Sequence, residues 1–195
     1  MSKLTLPIIC AYLPFEVKVK HASGIWDVEG ILNCEGGNAD IMIGNQGYFQ
    51  TIGIADFGKD YSLFLRPLSS LTKPITHNGE TFVPIERLKN IMEAKSYINL
   101  DAENHQTIEL NSIEKAEGGA YWIQWTEKRG EELYTMYLEY NSQFNRFSKI
   151  RMFPNRQPLS FGHQLEMFQK LFEWHFDVFG LLESGDALPI EEDGK

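Results

Sequence analysis

The residues that invite chemistry lie near the C-terminal end, in Glu173-Trp174-His175-Phe176-Asp177. Two carboxylates around an imidazole suit acid–base work or a metal ion, because histidine titrates near neutrality and ligates readily. The surrounding pattern is helical. At about 100° per residue, Phe161, Leu165, Phe168, Leu171, Phe172, Phe176, Val178 and Phe179 share one face. On such a helix Glu173 and Asp177 stand at i and i+4 on the polar side, while His175 points about 160° away, into the apolar stripe. One helix cannot converge all three on one ion. His175 is therefore read as a buried, hydrogen-bonded core histidine, and a role as base or ligand would need partners from other elements.

Gly53-Ile54-Ala55-Asp56-Phe57-Gly58-Lys59 fits the spacing of a phosphate loop. Such a loop needs Ser or Thr next, for Mg²⁺, and a helix whose first amides hold phosphate. Here Asp60 follows, then the strand-like Tyr61–Leu65. A β-turn is the expectation. His21, His77, His105 and His163 are scattered, with no H-E-x-x-H and no Cys/His zinc spacing. Cys10 and Cys34 form no C-x-x-C and read as two reduced thiols. No G-x-S-x-G occurs, and Ser69-Ser70 sits in a turn-rich connector. No catalytic residue, metal or cofactor is expected from these patterns.

The binding candidate is a run of aromatic residues interleaved with cations. Tyr121, Trp122, Trp125, Tyr134, Tyr137, Tyr140, Phe144 and Phe147 alternate with Arg129, Arg146 and Arg151. Aromatic platforms beside cations are how single-stranded nucleic acids are held. Trp122, Trp125, Arg129, Arg146 and Arg151 are the residues this reading selects. Half of the aromatics in each strand must nevertheless face a core.

Composition weighs on the choice of partner. The 195 residues carry a formal charge of −9. That sign opposes duplex DNA and anionic membranes, both of which are bound through Lys and Arg. Residues 128–156 are the one basic region, with six cations against three acids. Hydrophobic residues at 43% suit a packed domain. No apolar run approaches the ~18 residues of a spanning helix, and Pro7 interrupts the only leader-like stretch, so a cytoplasmic protein is expected.

The elements that must position these residues are mostly strands. Glu16–Lys20 alternates with period two, and short apolar runs follow at 28–32, 41–43, 48–54 and 63–65, parted by Gly and Asn turns. Asn78-Gly79 marks a hairpin. Pro84 then opens a short amphipathic helix near 84–95. A second β region, about 97–153, forms a meander, and the long amphipathic helix near 161–179 follows, with Ser160 before it and Gly180 after it. The fold class is α+β, mainly antiparallel, in a single domain over 1–195 with a soft division near 95–105.

Two stretches are distinctive as sequence: Leu65-Arg66-Pro67-Leu68-Ser69-Ser70-Leu71-Thr72-Lys73-Pro74-Ile75, running on through His77-Asn78-Gly79-Glu80 and Phe82-Val83-Pro84-Ile85-Glu86, and Met167–Leu182 with its Leu171-Phe172-Glu173-Trp174-His175-Phe176-Asp177-Val178-Phe179-Gly180 core. With Tyr12-Leu13-Pro14, they make the chain resemble a family of small uncharacterised proteins encoded by bacteriophages and prophages of gut bacteria. The resemblance implies a mobile-element setting and the cytoplasm of an infected or lysogenic bacterium. It brings no activity, cofactor or site residue. The combined expectation is a non-enzymatic phage or prophage accessory protein acting by protein–protein binding. Single-stranded nucleic-acid binding on the aromatic–basic sheet and a small enzyme using His175 are the alternatives. A dense acidic patch favours the first, an exposed aromatic–basic face the second, and an open cleft at His175 the third.

Overall fold

Period-two alternation builds the first sheet. Val17 and Val19 are buried while Lys18 and Lys20 stand in solvent, as a half-buried strand requires. The structure, a computed structural model, describes residues 3–33, 39–96, 105–116, 118–151, 157–159 and 163–191. The chain divides into two compact units, Met1–Leu68 with Gln169–Lys195, and Ser69–Phe168. The soft division expected near 95–105 falls inside the second unit, largely outside the described residues.

In the first unit a short helix α1 (Leu6–Tyr12) takes Pro7 in its first turn, where the missing N–H is harmless. Strands β1 (Lys18–His21), β2 (Gly24–Asn33), β3 (Asp40–Asn45), β4 (Tyr48–Gly53) and β5 (Ser62–Leu65) follow. The β3–β4 turn is Gln46-Gly47, both at positive φ, which matches the twist of a two-residue hairpin. Ile9 and Tyr12 of α1 join Val19, Ile41, Ile43, Leu63 and Leu65 in one core.

The second unit begins with β6 (Ile75–His77) and β7 (Glu80–Phe82), closed by Asn78-Gly79 at φ 50° and 79°. Helix α2 (Pro84–Ser96) starts at Pro84, as its sequence predicts. Strands β8 (His105–Ala116), β9 (Ala120–Arg129), β10 (Glu132–Asn141), β11 (Arg146–Arg151) and β12 (Gln157–Leu159) form a five-stranded antiparallel sheet in the order β12-β11-β10-β9-β8. Ile85, Leu88 and Met92 of α2 are buried, and the helix lies along β9.

The chain then runs through α3 (Gln164–Glu173) and α4 (Leu181–Ser184) to β13 (Ala187–Pro189). β13 pairs parallel with β5, completing a six-stranded sheet β13-β5-β1-β2-β3-β4. The architecture is α+β with mostly antiparallel sheets.

The long helix expected to reach residue 179 stops at Glu173, and Ser160 and Phe161 lie outside the described residues. His175 N–H donates to the Phe172 carbonyl at 2.9 Å and Phe176 N–H to the Leu171 carbonyl at 2.8 Å. These two bonds are a Schellman closure, with His175 at φ 59° where glycine usually stands. The chain beyond is held by Arg66. Its N–H donates to the His175 carbonyl at 2.6 Å, its carbonyl accepts from Asp177 N–H at 2.8 Å, and its guanidinium reaches the Trp174 carbonyl at 2.7 Å. Five residues later Gly180, expected to close that helix, is the left-handed residue that opens α4. Asp177, expected on a polar helix face, is buried and caps α4 by accepting from the Leu181 and Leu182 amides at 2.8 and 2.9 Å.

Candidate binding surface

His175 does not meet its two acidic neighbours. Its Nε2–H donates to the Phe15 carbonyl at 2.6 Å; a carbonyl only accepts, so the proton sits on Nε2. The ring is half-buried rather than buried. Glu173 pairs with Lys170 at 2.6 Å, and Asp177 is taken up by the α4 amides. Among the described residues no three His, Cys, Asp or Glu side chains gather as a metal ion requires.

The Gly53–Lys59 segment is a turn. Ile54–Asp56 is a single 3-10 turn in which the Asp56 carboxylate accepts from the Gly53 amide at 3.1 Å, and β5 follows instead of a helix. Gly58 sits at φ 78° against the buried Asp186 carboxylate; a Cβ there would stand 2.5 Å from Asp186 Oδ1. Asp186 itself accepts from the Lys3 amide and the Ser184 hydroxyl, each at 2.6 Å. A buried carboxylate beside the glycine repels phosphate, and no amides of a following helix are there to hold it.

The five-stranded sheet separates the aromatic–basic residues onto two faces. Cross-strand partners share a face, so register assigns the sides. Trp125 pairs with Met136, Ile123 with Leu138 and Tyr121 with Tyr140, and all six are buried on the face that α2 covers. Phe147 lies on that face too, ringed by Tyr140 at 4.9 Å and by Phe168 of α3 at 5.5 Å. Trp125 is fully buried. Its indole N–H donates to Glu127 at 3.0 Å, and the Lys89 ammonium stands 5.3 Å from its ring while pairing with Glu93 at 2.8 Å. It is a core residue with its polar atom satisfied, as a buried tryptophan needs. Arg151 pairs in register with Met136, on the same inner side, with its guanidinium 5.5 Å from the Tyr134 ring. Arg129 takes the matching register position at the end of β9, opposite Glu132; its side chain lies outside the described residues.

Trp122 and Arg146 belong to the other face, which we call the outer face. Across β8, β9, β10 and β11, one row reads Glu114, Trp122, Glu139 and Ser148. The next reads Ser112, Gln124, Tyr137 and Ile150. None of these eight is buried. The Trp122 and Tyr137 rings meet at 5.4 Å with a 51° tilt, and the Tyr137 hydroxyl donates to Gln124 Oε1 at 2.5 Å. Arg146 is exposed at one end, its guanidinium 5.6 Å from the Phe144 ring. Lys128 is exposed at the other end of β9.

Of the five residues chosen from sequence, the sheet therefore puts Trp122 and Arg146 on the outer face and Trp125, Arg151 and, by register, Arg129 on the inner one. Glu114 and Glu139, which flank the outer tryptophan, were not chosen. Counting outward from the Gly130-Glu131 turn pairs Trp122 with Glu139, so that neighbour was readable from the turn alone. No family model matches the chain, and neither a curated protein nor a solved structure matches it.

Proposed function

We propose that this chain is a non-enzymatic binding protein, a phage or prophage accessory factor of the bacterial cytoplasm, that engages a protein partner through the outer face of its five-stranded sheet. One observation carries the reading. Trp122 and Tyr137 stand together on a face whose charges are of both signs, with carboxylates nearest the indole. Paired aromatics amid mixed polar groups are the usual anchors of protein contacts. A phosphate backbone brought to Trp122 would meet Glu114 and Glu139 first, which disfavours nucleic acid there. The setting in a phage or prophage rests on the sequence resemblance. Among the described residues no helix is long and apolar enough to cross a membrane.

Capture experiments test the reading. Tagged wild-type protein and Trp122→Ala are used to retain partners from lysate of the bacterial host, with and without nuclease. A protein retained by wild type, lost with Trp122→Ala and resistant to nuclease is the expected result. Capture that depends on nucleic acid, or that Trp122→Ala leaves intact, would contradict it.

A further inference from the structure

From the outer face we infer a recognition pocket for a cationic side chain, a lysine or arginine presented by the protein partner; this rests on the protein-contact reading above and names its chemistry. Trp122 is flanked on both neighbouring strands by a carboxylate, Glu114 on β8 and Glu139 on β10. Directly opposed residues put their Cβ atoms roughly 5 Å apart, so the two acids bracket the indole on its two sides. Tyr137, its ring in contact with the indole at 5.4 Å and tilted 51° to it, widens the aromatic surface, and its bond to Gln124 fixes the ring.

The acids are also uncommitted. Among the described residues neither Glu114 nor Glu139 has an ion-pair or hydrogen-bond partner. Four other glutamates of the same unit are engaged, Glu80 by Arg87, Glu93 by Lys89, Glu127 by the Trp125 indole and Glu132 by the Tyr134 hydroxyl, whereas Glu86 and Glu131 are as free as the flanking pair but have no aromatic ring between them. The cations on this face leave the two acids unpaired, although Arg146 is the diagonal neighbour of Glu139 across β10 and β11. Arg146 is turned onto Phe144, and Lys128 is six residues along β9 from Trp122, about 20 Å. Two carboxylates of like sign around an aromatic face attract a cation through both charge and the ring quadrupole. An aromatic surface edged by acids also suits a long aliphatic stem ending in a charge, the stem lying on the rings and the charge reaching a carboxylate. The overall charge of −9 favours approach of a basic segment.

The probe is an acetyl-capped peptide of alternating glycine and lysine, with a glycine–glutamate peptide of equal length as control, titrated into full-length ¹⁵N-labelled protein. The chain has four tryptophans, and Trp122→Phe identifies the indole signal of interest. The expected result is a saturable shift of the Trp122 signal with the lysine peptide alone. In Glu114→Gln/Glu139→Gln the affinity should fall at least about tenfold, the other indole signals staying in place as evidence of an intact fold. No saturable shift, or one unchanged in the double variant, would overturn the pocket. If the titration is silent while Trp122→Ala still abolishes partner capture, the cation pocket is refuted and the protein-contact surface stands. If Trp122→Ala leaves capture intact, the surface itself is refuted.

Discussion

Two tryptophans three residues apart in β9 have opposite fates, because successive side chains of a strand alternate. Trp125 is sealed under α2, and Trp122 is on the outer face. Truncating a buried tryptophan costs about 3–5 kcal/mol, whereas the half-buried Trp122 stands to lose mainly its ring contact with Tyr137, about 0.5–1.5 kcal/mol. Trp125→Ala is therefore expected to move the urea midpoint sharply or leave the protein insoluble, and Trp122→Ala to move it little; equal losses would contradict the assignment of faces. Tyr121 offers a pH test. Burial raises its phenol pKa above the ordinary value. The folded state then holds the proton more tightly than the unfolded chain does. Stability from this group is whole below about pH 10 and is lost as the pH rises beyond that. In Tyr121→Phe the drop in urea midpoint between pH 8 and pH 10.5 should be smaller than in wild type; an equal drop would assign the alkaline loss to other groups. The parity separating Trp122 from Trp125 was legible in the sequence, and so was the buried side. In β10, Met136, Leu138 and Tyr140 alternate with Thr135, Glu139 and Asn141. What obscured it was the aromatic content of both faces, which made one platform out of two.

At the scale of elements, short-range chemistry was legible and the end of α3 was not. Asn78-Gly79 and Pro84 place their hairpin and helix where the structure has them, because a type I′ turn and a first helical turn each demand particular backbone freedom. Past Glu173 the apolar residues keep helical spacing, yet Phe176 is buried where the backbone bridges to Arg66, and Phe179 is half-buried, stacked on Phe172 at 5.7 Å. Arg66 is 108 positions away from Trp174, so nothing local announces the stop. His175 carries a test of this cap. At φ 59° glycine is unstrained and alanine costs about 1 kcal/mol more, while in a helix interior the order reverses by a similar amount. Both variants lose the bond to Phe15, so that loss cancels in the comparison. His175→Gly is expected to melt above His175→Ala; the opposite order would restore the continuous helix to residue 179.

Taken as a whole molecule, the chain has an α+β architecture that patterning could foresee, with strands dominating and an amphipathic helix following each β region in the chain. Its charge of −9 was equally legible and points away from nucleic acid. The candidate site was only half legible. Aromatic and charged residues stood out in the sequence, but which of them share a face depends on register between strands, and the decisive pair, Glu114 and Glu139, are ordinary glutamates until β8, β9 and β10 are aligned. That alignment is what turns an expected aromatic–basic platform into a face where two carboxylates flank the tryptophan. The most direct measurement is photo-cross-linking inside the host cell, with a benzophenone side chain placed at position 122 and, as a control, at the exposed Tyr48 of the first unit. An adduct to one protein from position 122 and not from 48, with the linked peptide rich in lysine or arginine, is the expected result. Cross-linking to nucleic acid, an identical adduct from both positions, or no adduct from position 122 would contradict the assignment of this face as the protein's contact surface.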